Sequence, residues 1–125
     1  MKNTNTAMPT TKKNAKELVL AFVQALNEED YTAARDCLDD DMSFVGVLGT
    51  RDGAASYIQD MERIKLKYDI KKIFVDGNDV CLWYDIQMSG VEVLTSGWYH
   101  VVDGKIRSLK VVFDPRPVLE QGSKK

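Results

Sequence analysis

Apolar residues recur at helical spacing through the first half of the chain and give way to alternation after residue 65. Ala15, Leu18, Val19, Phe22 and Leu26 share one helical face, which Val23 and Ala25 widen, so the first helix is expected to be largely buried. Asn14 followed by Glu17 supplies an N-cap and its reciprocal acceptor. Asp30 is placed to cap a shorter second helix that turns Tyr31, Ala34 and Leu38 inward. Met42 to Leu48 reads as a strand ended by Gly49. Thr50 or Asp52 then opens a third helix carrying Ala54, Tyr57, Ile58 and Met61 at core spacing.

Beyond that point Leu66, Tyr68 and Ile70 alternate with Lys67, Asp69 and Lys71, and Ile73-Phe74-Val75 continues the run. Turn signals follow at Asp76-Gly77-Asn78, Ser89-Gly90 and Asp103-Gly104, the last suited to a hairpin turn with positive φ at both central residues. Strands are therefore expected over roughly 66–76, 79–88, 92–102 and 105–113. Strands of about ten residues are long against the usual five or six and must twist, so the sheet curves. Helices one and three can cover most of the concave face but not its open end, where ligands commonly sit. The predicted fold class is α+β, a cone-shaped roll of three N-terminal helices on a strongly curved mixed or antiparallel sheet. Residues 1–13 read as a disordered leader. Pro115 and Pro117 stop the last strand, and 118–125 read as a flexible tail.

A chain of 125 residues, 44% hydrophobic and 29% charged, suits one globular domain. A formal charge of −2, with lysine clusters offset by runs such as Asp39-Asp40-Asp41, provides no basic stripe for nucleic acid. No stretch is long enough to span a membrane, and the apolar run Leu18–Val23 lacks a following cleavage site. Cys37 and Cys81 stand among apolar residues without motif spacing, as buried thiols of a reducing compartment do; a cytoplasmic location is expected. One histidine and two scattered cysteines offer no metal constellation. No phosphate-binding glycine loop calls for a cofactor.

The segment Phe22-Val23-Gln24-Ala25-Leu26-Asn27-Glu28-Glu29-Asp30-Tyr31 resembles the opening of SnoaL-like proteins and ketosteroid isomerases of the nuclear transport factor two-like superfamily. The hairpin from Gly97-Trp98-Tyr99-His100 through Asp103-Gly104-Lys105-Ile106, with Phe113-Asp114 at its end, is similar to the close of that domain. The resemblance spans about residues 14–117 and implies the cone fold, while the superfamily hosts both enzymes and non-catalytic modules. Carried over residue by residue, the isomerase tyrosine falls on Phe22, the base near Gly46 and the second donor near Gly97. None of these supplies an acceptor or a side-chain donor, so that isomerase machinery is missing. A SnoaL-type cyclisation uses a carboxylate and a histidine, and the motif around His100 does not match. For the epoxide-hydrolase branch, Asp85, Arg107 and Asp114 are the nearest raw materials.

The catalytic candidates are Asp85, whose pKa burial would raise, and His100, the only histidine. Alternation sets Trp83, Asp85 and Gln87 on one face of their strand and Leu82, Tyr84 and Ile86 on the other, and leaves open which is inside. Phe22, Leu26, Tyr31, Val47, Tyr57, Met61, Trp83, Tyr99, Val111 and Phe113 are the candidate pocket residues. Trp98 on the opposite face points to a homodimer through the open sheet. The expected function is binding of a small hydrophobic molecule, with cofactor-independent cyclase- or isomerase-type acid–base chemistry as its catalytic form. The rival is a non-catalytic dimeric assembly module.

Overall fold

The computed structural model describes residues 14–88 and 90–123, so the expected leader at 1–13 lies outside the described residues. In chain order the elements are α1 (Ala15–Asn27), α2 (Tyr31–Asp36), β1 (Leu38–Val45), β2 (Thr50–Asp52), α3 (Ala54–Ile64), β3 (Lys67–Asp76), β4 (Asp79–Met88), β5 (Val91–Val102), β6 (Lys105–Phe113) and α4 (Arg116–Ser123). They form an α+β fold in which helices pack on one six-stranded mixed sheet, ordered β2-β1-β6-β5-β4-β3. All neighbours are antiparallel except β1 and β6, which run parallel. The long strands carry register breaks at Ile70/Lys72 and His100/Val101, and such bulges add twist that curves the sheet around the helices.

Local signals hold at the helix starts. The Asn14 side chain accepts from the Glu17 N–H at 2.8 Å, and the Asn14 N–H donates to Glu17 Oε1 at 3.3 Å. Asp30 Oδ1 accepts from the Ala33 N–H to cap α2. At the β5–β6 hairpin both Asp103 and Gly104 have positive φ, 51° and 77°.

Four boundaries differ from the sequence expectation. The strand expected to run on to Leu48 ends at Val45. Leu38 begins β1 rather than ending α2; it is buried in either role, so periodicity could not separate them. Thr50 and Asp52 lie in the edge strand β2, and Gly53, at φ 94°, leads into α3 without a side-chain cap. The expected tail at 118–125 is largely occupied by α4, whose Val118 packs against the core. Pro117 is the second residue of that helix, where its missing N–H costs nothing.

The core lies between α1, α3 and the concave face of the sheet, with Val19, Phe22, Ala34, Met42, Leu82 and Ile106 fully buried. Asn27 joins α1 to the edge strand: its amide donates to the Tyr68 carbonyl at 2.9 Å and accepts from the Tyr68 N–H at 2.8 Å. The side chain thus stands in for a neighbouring strand and fixes where Tyr68 enters the interior. Among the described residues no helix is long and apolar enough to cross a membrane.

Candidate functional site

Between α3 and the concave sheet lies a cavity of about 470 Å³. Its rim comes from the β1–β2 loop with Val47 and Leu48, from Arg51 on β2, and from the last turns of α3 with Asp60, Arg63 and Ile64. Its interior is walled by Phe44, Tyr57, Met61, Tyr68, Tyr84, Ile86, Leu109, Val111 and Phe113, with Thr95 the buried polar residue of β5. Phe44 and Tyr57 meet at 5.1 Å between ring centroids, and Tyr68 and Tyr84 at 4.9 Å. The loop Gly46–Gly49 closes with a Gly46 N–H to Gly49 carbonyl bond of 2.8 Å. A Cβ on Gly46 would lie 2.8 Å from the Phe44 ring, so glycine here leaves that ring its place in the wall.

The polar groups inside are tyrosine hydroxyls. Burial first, and neighbouring tyrosines second, push the Tyr57 and Tyr68 hydroxyls above their usual pKa. Burial does the same to Tyr84 and Tyr99. All four stay protonated across the physiological range as neutral O–H groups; Tyr57, Tyr68 and Tyr84 stand in the cavity wall, and the Tyr68 hydroxyl already donates to Met61 Sδ at 4.0 Å. The Thr95 hydroxyl already donates to the Val93 carbonyl at 3.1 Å. Among the described lining residues the one carboxylate is Asp60. Hydrogen bonding from Arg51 holds it below the usual carboxylate range.

The expected site residues separate into three groups. Val47, Tyr57, Met61, Val111 and Phe113 do line the cavity. Phe22, Leu26 and Tyr99 do not; they are 0%, 2% and 1% exposed and form the packed layer behind it. Phe22 sits between the rings of Tyr57 and Tyr99, at 6.4 and 6.2 Å. Tyr31 also stays out of the wall, its hydroxyl buried without a protein partner and its ring 5.9 Å from Lys65 Nζ.

The third group faces away. Tyr84 and Ile86 point into the cavity, so alternation turns Trp83 and Asp85 to the outer face. Trp83 is 41% exposed, and Asp85 Oδ2 lies 3.6 Å from Lys71 Nζ. His100 is on the outer face too, where its Nδ1 and the Trp98 Nε1–H both meet Asp79 Oδ1, at 2.9 and 2.7 Å. Arg107 is 3.8 Å from Asp39, and Asp114 pairs with Arg116, so Asp85, Arg107 and Asp114 form no set. The strand β4 carries the signal that decides its facing: Leu82, Tyr84 and Ile86 are the more apolar alternate set.

Gly97 explains the tyrosine arrangement. A Cβ at this position would lie 3.1 Å from the Tyr84 hydroxyl and 3.1 Å from the Tyr99 ring. The site where the resemblance expects a donor is thus the space into which two tyrosines pack.

The SnoaL-like domain family matches residues 19–109, most of the α1-to-β6 unit that encloses this cavity. The chain belongs to that family. An NTF2-like protein of unknown function from Cytophaga hutchinsonii is 46% identical, with 89% of this chain and 99% of that chain covered and a TM-score of 0.86. The SnoaL-like fold is shared at lower identity with an LEH-like epoxide hydrolase of M. tuberculosis (22%, 90% and 92% covered, TM-score 0.75). It is shared also with TerC co-crystallised with polyporic acid (15%, 86% and 96% covered, TM-score 0.75). No curated protein sequence matches significantly. For this SnoaL-like chain the comparisons establish family and fold, and its own side chains carry the rest.

Proposed function

We propose that this SnoaL-like protein binds a small hydrophobic molecule in the cavity between α3 and the sheet. The observation that carries the reading is the cavity itself: about 470 Å³, apolar in most of its wall, with Tyr57, Tyr68 and Tyr84 in that wall. Such a volume matches ordinary ligand pockets, and a few placed donors orient a ligand carbonyl or hydroxyl. Binding is favoured over proton transfer. Asp60, the carboxylate on the wall, has its oxygens engaged by Arg51 and Arg63 and is a weak base.

A methionine-methyl NMR titration with methyl 1-naphthylacetate tests this directly. The Met61 signal, on the cavity wall, is expected to shift and saturate at one ligand per chain, while that of Met42 in the core stays nearly still. No shift of Met61 up to the solubility limit would remove the reading.

The outer face of the sheet supports a homodimer. Phe74, Trp83, Leu94, Trp98 and Val112 are all at least 41% exposed there, and facing partners across β3 to β6 make them one patch. A second copy would cover it with the same patch by a two-fold axis. In sedimentation velocity the native protein is expected to run as a dimer and Val112→Asp as a monomer with unchanged circular dichroism. A monomeric native protein at high concentration would contradict this.

A further inference from the structure

The cavity has a chemical polarity from rim to floor. Leu48, Ile64 and the side chains of Arg51 and Arg63 are 56%, 44%, 51% and 70% exposed, whereas Tyr57 and Thr95 on the inner wall are 2% and 1% exposed. Charge is confined to the rim: among the described lining residues it comes from Arg51, Asp60 and Arg63. The two guanidinium groups share one carboxylate. Asp60 Oδ2 accepts from Arg51 Nε at 2.6 Å, and Asp60 Oδ1 accepts from Arg51 Nη2 at 3.1 Å. This is the bidentate pairing that satisfies a carboxylate most fully.

Arg63 is left with a single long bond, Nη1 to Asp60 Oδ1 at 3.4 Å. The rim therefore holds one positive charge in excess, on a guanidinium with donors to spare. The neighbouring cation Lys65 is turned elsewhere, 3.7 Å from Glu29. An amine entering the cavity would meet guanidinium groups and no free carboxylate. Deeper in, it would meet neutral hydroxyls in a site too dry to hold a charge. An anion could keep its charge at the half-exposed rim while its apolar part enters.

We propose that the cavity selects an amphipathic monoanion, a carboxylic acid whose apolar body fills the tyrosine-walled interior and whose carboxylate lies against Arg63 at the rim. The proposal rests on the ligand-binding reading above and specifies its ligand class. Arg51 takes both Asp60 oxygens at the shorter distances, so that the carboxylate already on the rim holds Arg63 through only one bond of 3.4 Å. The exposed apolar residues Val47, Leu48 and Ile64 flank the entry and cover the ligand stem just below its head group.

The test compares 1-naphthylacetic acid with methyl 1-naphthylacetate, equal in ring system and differing in charge, by calorimetry and by the Met61 signal. The native protein is expected to bind the acid roughly fivefold more tightly, the scale of one half-exposed ion pair. That preference should shrink as salt is raised, since the pair is open to solvent. Arg63→Gln is expected to bring the two affinities together by weakening the acid alone, leaving the ester unchanged. Equal affinities in the native protein, or a preference that survives in Arg63→Gln, would overturn the anion assignment while the cavity remains a binding site. Failure of both compounds to bind would overturn the ligand-binding reading and this inference with it.

Discussion

Phe22→Ala is expected to lower the free energy of unfolding by about 3–5 kcal/mol, the range for deleting a buried aromatic ring. Phe22 is fully buried at the centre of α1 and contacts the rings of Tyr57 and Tyr99. Its loss removes hydrophobic burial and leaves a void between α1 and the sheet, because those tyrosines are held from other elements and cannot close in freely. Tyr57 also lines the cavity, so the void opens directly behind that wall. Urea unfolding checks the effect: the midpoint should fall with the m-value unchanged, and Phe22→Leu, which keeps most of the volume, should lose much less. A loss below about 1 kcal/mol would mean that Tyr57 and Tyr99 collapse into the space, and that the packed layer behind the cavity is not rigid.

The second large effect concerns binding rather than stability. Val111→Trp is expected to weaken methyl 1-naphthylacetate by roughly 100-fold or more, because most of the apolar area that the ligand would bury is taken by the indole. Val111 lines the cavity from β6 and stands across from Gly97 in the β5–β6 register, a neighbour without a side chain. Tryptophan suits a strand, and the empty space already present spares the variant the strain of overpacking a filled core. Its melting temperature should stay within a few degrees of the native value. A folded Val111→Trp protein that binds with native affinity would place the ligand outside this cavity.

The elements that could be read along the chain are those whose cause is local. The capping pair Asn14 and Glu17, the cap at Asp30 and the Asp103-Gly104 turn all act within four residues, and the structure contains each. Strand alternation sets Tyr99 and Trp98 on opposite faces, and the two are 1% and 48% exposed. Of the expected tail at 118–125, the described residues 118–123 continue a helix that gains a tertiary contact, Val118 against the core, which no local pattern reveals. Thr50 to Asp52 misread for a similar reason: these residues pair with Ser43 to Val45, and that pairing, not a cap, determines their state.

The site was legible as a wall and illegible as chemistry. Periodicity identifies Phe22, Leu26 and Tyr99 as inward but cannot tell a residue that fills the core from one that faces an open cavity, since both are buried and apolar. The difference depends on the distance between α3 and the sheet, a property of several elements at once. Asp85 and His100 stood out as titratable groups, yet both lie on the outer face with partners of their own. Asp60, Arg51 and Arg63 carried no motif, and they meet because β2 and the end of α3 converge at the same rim.

The fold class, the first two helix caps and the facing of β5 thus followed from the chain alone, because short-range sterics, hydrogen bonding and apolar period dictate them. The cavity, its tyrosine donors and its cationic rim arose in three dimensions, because each requires side chains from separate elements to share one space. Gly97 joins the two levels. As a residue it offers no chemistry; in the folded sheet its missing side chain is the room in which Tyr84 and Tyr99 meet.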